Sequence, residues 1–128
     1  MIYLASPYTS KLLNEHEAKR EQYDRTFQVM HTVVRLKEKG INCYSPITNW
    51  VHISHIFKLP TDISYYLEFD KEMIAICDRF IILLLNSWLD SEGIKLERSY
   101  ALACGKLVEY MRPTDLRISL RLEELWID

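Results

Sequence analysis

The sequence predicts a single α/β domain with a mainly parallel sheet flanked by helices. Three observations carry this. Short apolar segments alternate with longer segments of helical period along the chain. Phe80 to Leu85 is apolar without interruption, as a central parallel strand covered on both faces requires. The 128 residues hold no internal repeat, low-complexity stretch or linker, which is the length and texture of one domain with one core.

Each element has its own signal. Ile2 to Ala5 reads as a strand that stops at Ser6-Pro7. A long helix follows from about Asn14 to Lys39. Phe27, Met30, Val33, Val34 and Leu36 supply most of its late apolar face, and Gly40 stands where a helix-ending residue belongs. Ile41 to Tyr44 is a second strand, stopped by Ser45-Pro46. Ile47 to about Ile63 has no clean period and reads as a loop with at most a short helix. Tyr65 to Cys77 is helical, Arg79 to Leu85 a buried strand, and Asn86 to Gly93 a loop. Ile94 to Cys104 is the next helix, ended by Gly105-Lys106, and Leu107 to Tyr110 is the last clear strand. The tail from Thr114 to Trp126 is open to two readings. Leu116, Leu120, Glu123 and Glu124 suit a helix, whereas Ile118, Leu120 and Leu122 alternate as a strand does.

Composition excludes several classes. A formal net charge of −2 argues against a general surface for polymeric nucleic acid, though not against a local pocket for one phosphate. The longest apolar run falls far short of the roughly 20 residues that span a bilayer, so no membrane partner is expected. The opening Met-Ile-Tyr-Leu-Ala-Ser-Pro has no basic stretch of a secretory signal. Cys43, Cys77 and Cys104 are odd in number and sit among apolar neighbours, which reads as reduced, buried thiols in a cytoplasmic protein.

In parallel sheets, ligands bind beyond the carboxyl ends of the strands. That gathers Ser6 to Thr9, Ser45 to His55 and Asn86 to Glu97. Within this set Glu97 breaks the binary pattern. Its helical neighbours Ile94, Tyr100, Ala101 and Cys104 are apolar, so its carboxylate points where a core contact is expected. Asp70 repeats the oddity among Tyr66, Leu67, Met73, Ile74 and Cys77. Glu68, flanked by Ser64, Tyr65, Lys71 and Glu72, describes a solvated face instead. Desolvating a charge is costly, so two such acids of the 18 are candidates for chemistry. Paired carboxylates with separate roles are the usual apparatus for breaking a glycosidic bond. On pattern alone, Asp70 making a structural hydrogen bond and Glu97 pairing with an arginine would serve equally.

Other residues fall at the same end. Tyr3, Ser6 and Tyr8 put hydroxyls at the end of the first strand, although Tyr3 could equally be a packed aromatic. Ser87 and Ser91 lead into a helix N-terminus, with Gly93 allowing close approach. Amides and the helix dipole there favour an anion, and a simple N-cap explains Ser91 as well. His52 and His55 form the one pair of ligand type, without the companions of a metal site, so His52 is read as a rim contact and no metal is expected. Trp50, Phe57 and Trp88 could stack on a flat base or pack as core or oligomer contacts. Arg20 and Arg25 lie on a charged helix from which one arginine could reach a phosphate.

Order and spacing now resemble a known family. Ile2-Tyr3-Leu4-Ala5-Ser6-Pro7-Tyr8, then Asp70, then Ser91-x-Gly93-x-x-x-Glu97-x-x-x-Ala101-x-x-x-Gly105-Lys106-x-Val108, together resemble the nucleoside 2-deoxyribosyltransferase-like superfamily. That superfamily includes 2′-deoxynucleoside 5′-monophosphate N-glycosidases and cytidylate-type hydrolases. The match runs from Met1 to about Val108 and implies a flavodoxin- or Rossmann-like fold. It implies that Glu97 attacks the anomeric carbon or stabilises the oxocarbenium ion, that Asp70 handles the proton of the leaving base, and that Tyr3 orients Glu97. Transferases of the superfamily carry an aspartate where this chain has Ser91. A serine accepts a 5′-phosphate without charge repulsion. Lys95 stands where the hydrolases usually carry a small residue, and the segment Ser45 to His52 resembles a short branch of the superfamily.

The resulting expectation is a cytoplasmic N-glycosidase that hydrolyses a (deoxy)nucleoside 5′-monophosphate to free base and sugar 5-phosphate. It would need neither metal nor organic cofactor. Ser6, Tyr8, His52, Ser87, Trp88, Ser91 and Gly93 would contact substrate. The alternatives are a nucleoside 2-deoxyribosyltransferase exchanging bases, a non-catalytic nucleotide-binding sensor, and an NAD-cleaving enzyme. The apolar tail residues Leu120, Leu125, Trp126 and Ile127 suit a contact in a homodimer or larger homo-oligomer.

Overall fold

The computed structural model describes residues 1–126. Its centre is a five-stranded sheet: β1 (Ile2–Ala5), β2 (Cys43–Tyr44), β3 (Arg79–Leu83), β4 (Val108–Met111) and β5 (Ile118–Ser119), in spatial order β2-β1-β3-β4-β5. The first four are mutually parallel and only β5 runs antiparallel, at the edge. The sheet is therefore α/β and mostly parallel. The tail resolves into the short strand β5, which begins the strand the sequence allowed at Ile118, and then a 3₁₀ turn, Leu122–Trp126, in place of its continuation or of a regular helix.

Four helices cover the two faces: α1 (Glu15–Glu38), α2 (Pro46–Phe57), α3 (Ile63–Ile76) and α4 (Glu92–Ala103). Strand alternation sorts the core into two halves. Ile2, Leu4, Ile81, Leu83 and Met111 meet Val29 and Leu36 of α1 and Ile47 of α2. Tyr3, Ala5, Phe80, Ile82 and Tyr110 meet Ile74 of α3 and Ile94 and Ala101 of α4. Strand β3 is buried on both sides from Phe80 to Leu83, as its unbroken apolar run foretold.

Local signals explain the helix ends. Asn14 accepts from the amides of His16 and Glu17 to start α1, and Gly40 follows its end at φ +79°, where a side chain would be strained. The inward stripe of α1 is Arg25, Val29, Thr32 and Leu36. Phe27, Met30 and Val34, expected on its buried face, are exposed, because the true stripe lies on the other side of the helix.

The larger departure is α2. The segment expected to be a loop is a twelve-residue helix, opened by Ser45 accepting from the Thr48 amide and by Pro46 in the first turn. Only Ile47 of α2 is fully buried, so no apolar stripe betrays its period. The cysteines are free, but Cys77 alone is buried; Cys43 is half-buried and Cys104 exposed. Leu125, expected in an oligomer contact, is core, whereas Leu120 is exposed. The Trp126 side chain and Ile127 lie outside the described residues.

Candidate active site

The strand order changes direction between β1 and β3, since β1 leads outward to β2 and β3 to β4. Chain segments leaving the carboxyl ends of these strands diverge and leave a crevice, the usual ligand position in such sheets. A cavity of about 630 Å³ occupies it here. That is within the roughly 300–1,000 Å³ of small-molecule sites. Its floor carries Glu97 and Asp70, its β1 side Ser6 and Tyr8, its far wall Trp50 and His55 of α2, and its α4 side Ser91 and Gly93.

Glu97 and Asp70 are the two acids buried among the described residues, at 6% and 4% exposure. Tyr3, itself fully buried, donates its hydroxyl to Glu97 Oε2 in a short hydrogen bond. Tyr44, at the end of β2, places its hydroxyl 3.4 Å from Asp70 Oδ1. Burial pushes the Glu97 carboxyl up to about 8; the Tyr3 hydroxyl opposes this and the nearby Asp70 charge adds to it. Burial likewise raises Asp70 to about 6, against the Tyr44 hydrogen bond. Burial first, and then the charges of Glu97 and Asp70, raises Tyr3 well above the ordinary phenol range, so near neutrality it keeps the proton it donates to Glu97. Two carboxyls titrating on either side of neutrality share about one proton at pH 7. That is the arrangement of a paired acid and base.

Gly93 lies close to the carboxylate, and its lack of a side chain leaves room beside it. A Cβ there would stand 3.0 Å from Ile63 Cδ1, 3.7 Å from Glu97 Oε1 and 3.8 Å from Ser91 Oγ. The bare backbone thus opens the way to the carboxylate. Ser91 caps α4 by accepting from the Ile94 amide, which leaves its own hydroxyl proton to give. Ser6 Oγ is buried without a hydrogen-bond partner on the cavity wall. Buried polar atoms without partners are uncommon and mark where a ligand would complete the set.

A second recess of about 140 Å³ adjoins the first, sharing Thr9, Lys11 and Ser91 with it. It also holds Ser87, Arg25, Glu21 and Asp90. Arg25 is buried and its terminal nitrogens are committed. They donate to the carbonyls of Tyr8, Thr9 and Asn86, and one pairs with Glu21 at 3.1 Å. Arg25 therefore ties the loop after β1 to the loop after β3, and Lys11, the exposed cation of the recess, donates to the Asp90 carbonyl at 2.6 Å.

Several expected contacts lie elsewhere. Trp88 packs on Tyr110 with ring centres 5.6 Å apart, turned into the α3/α4 half of the core by the 3₁₀ turn Trp88–Asp90. It does not line the cavity. Ser87 lines only the smaller recess, from a left-handed backbone at φ 64°. His52 is exposed away from the crevice and His55 takes the cavity position. On a helix the inward set is Ile47, Trp50, Val51, Ser54 and His55, and His52 falls outside that stripe. Tyr44, Tyr66 and Lys11 are site residues that sequence reasoning missed, and of the His52/His55 pair it took His52 as the rim contact. Tyr44 ends β2 but stands out from nothing around it; His55 depended on knowing that α2 is a helix. Among the described residues no three His, Cys, Asp or Glu side chains are grouped to hold a metal ion, and no helix is long and apolar enough to cross a membrane.

A family profile described as Domain of unknown function (DUF1937) matches residues 1–112, so the chain belongs to that family. No curated protein matches it significantly.

Proposed function

We propose that this chain, with its family, falls in the nucleoside 2-deoxyribosyltransferase-like superfamily, and that it is an N-glycosidase of (deoxy)nucleoside 5′-monophosphates. The observation that carries the reading is the buried Tyr3–Glu97 pair beside Asp70, at the floor of a crevice large enough for a nucleotide. The C1′–N bond breaks with its electron pair leaving on the base. Asp70, protonated, gives its proton to the base. Glu97, ionised, attacks C1′ or stabilises the sugar cation, with Tyr3 aiming it. Water then attacks C1′ and gives its proton to the Asp70 carboxylate, and Glu97 is released as the carboxylate it began as.

The base would lie toward Trp50 and Tyr66, whose rings stand 5.5 Å apart on the cavity wall. The 5′-phosphate would lie toward Ser91 and the first amides of α4, where the helix dipole favours an anion. Lys11 adds charge, while Glu21 and Asp90 oppose it, so hydroxyls and amides carry most of the recognition. The intact enzyme is proposed to be a homodimer or larger, acting in the cytoplasm.

The test is a comparison of each monophosphate with its nucleoside. The reading expects base release from the monophosphate only, and a Ser91→Asp change that raises KM for it by about tenfold or more through charge repulsion. Release from nucleosides, or release only when an acceptor base is added, would replace hydrolysis with base exchange.

A further inference from the structure

The sheet register sets two tyrosines side by side. Tyr3 of β1 pairs directly with Tyr44 of β2, so both rings project from the same face. Their centroids are 5.5 Å apart, tilted by 43°. Phe69, the residue before Asp70, braces the outer side of Tyr44 at 6.0 Å. Each phenol meets a different acid: Tyr3 reaches Glu97 on α4 and Tyr44 reaches Asp70 on α3. The two contacts are unequal. The first is short, whereas 3.4 Å is long for a bond between two oxygens, which prefer 2.5–3.0 Å. Catalytic hydrogen bonds are often long in an empty site and tighten around substrate.

We propose that Tyr44 is a positioning residue: its hydroxyl aims the Asp70 carboxyl into the cavity and stabilises the carboxylate left behind when Asp70 gives its proton to the departing base. The proposal rests on the glycosidase reading for the identity of that base. The step balances, since the O–H bond of Asp70 breaks, an N–H bond forms on the base, and the negative charge stays on Asp70. Tyr44 keeps its own proton throughout, because burial and then the Asp70 charge raise its phenol above the ordinary range. The groups around Asp70 are Tyr3 from β1, Tyr44 from β2, Glu97 from α4, and His55 and Tyr66 on the cavity wall. Of these, Tyr44 is the one whose hydrogen bond lowers the proton affinity of Asp70.

The experiment is a carbon-detected carboxyl NMR titration of the full chain and of Tyr44→Phe, with base release measured on both. Phenylalanine keeps the ring and its contacts with Tyr3 and Phe69, so the fold is spared. The expected result is an Asp70 midpoint raised by about half a unit or more, with that of Glu97 little changed. Tyr3→Phe should move Glu97 instead. In kinetics, kcat falls by about tenfold with KM within twofold. An unmoved Asp70 midpoint overturns the proposal, and so does a rise in KM at constant kcat. If the unaltered chain releases no base from any nucleotide, the glycosidase reading falls, and the titration alone decides whether Tyr44 governs Asp70.

Discussion

Glu97 and Asp70 raise opposite demands at the scale of single residues. The proposed chemistry needs Glu97 ionised and Asp70 protonated, yet Glu97 holds its proton more tightly, at about 8 against about 6. The productive arrangement is then the less populated of the two singly protonated forms. Activity on kcat/KM should follow a bell with limbs near 6 and 8, measured as a pH–rate profile on a monophosphate. The same shifts govern stability. Both carboxyls bind protons more tightly folded than unfolded, so they favour the fold below their ordinary range. That contribution is lost as pH rises through about 6 and then about 8. Thermal unfolding should therefore show a lower midpoint at pH 9 than at pH 6. Glu97→Gln, which keeps the volume and removes the charge, should flatten the fall; an unchanged slope would deny that Glu97 is strained by burial. These two acids were legible in the sequence because an acid inside an apolar stripe contradicts its neighbours. Tyr44 was harder to find, since a tyrosine in a half-buried strand contradicts nothing.

At the scale of elements, the site is a product of where segments are tied down. Arg25 of α1 holds the loops after β1 and β3 together across the crevice. Arg25→Ala should destabilise the chain by roughly 2–4 kcal/mol, because three carbonyls and Glu21 lose a buried partner. It should also raise KM. Urea unfolding and initial rates check both; a loss of activity without a loss of stability would contradict the tether. At the start of α4, Gly93→Ala should leave stability unchanged or slightly raised, since alanine favours a helix and the Ile63 methyl can shift. Its new methyl would crowd the approach to Glu97 Oε1, so kcat/KM should fall at least about tenfold. Helix α2 shows why one element stayed hidden. Its inward face lines a cavity and not the core, so the apolar period that marks a helix is absent. Ser45 and Pro46 were nonetheless the correct start signal, and reading them as only a strand stop concealed the helix and which of His52 and His55 faces the cavity.

For the whole molecule, alternation of apolar and helical segments was enough to foretell a parallel sheet with β3 at its heart. Each strand between Ile2 and Met111 was found within one or two residues of its expected place. The tail resisted because its few apolar residues serve two different ends, with Leu116 and Leu125 entering the core and Leu120 facing out. Exposed apolar side chains at Tyr23, Phe27, Met30 and Val34 on α1 leave surface that association would cover. Sedimentation velocity should find a dimer or larger at assay concentrations, and a monomer that retains full activity would remove the expected homo-oligomer. The central claim, however, is that the buried carboxyl pair breaks an N-glycosidic bond. Its most direct test is chromatographic detection of free base from a panel of ribo- and deoxyribonucleoside 5′-monophosphates, run with the natural chain and with Glu97→Gln. The account predicts release from at least one monophosphate, reduced by about a thousandfold or more in the variant. Release that survives in Glu97→Gln, or no release from any member while nucleotide still binds, would contradict it.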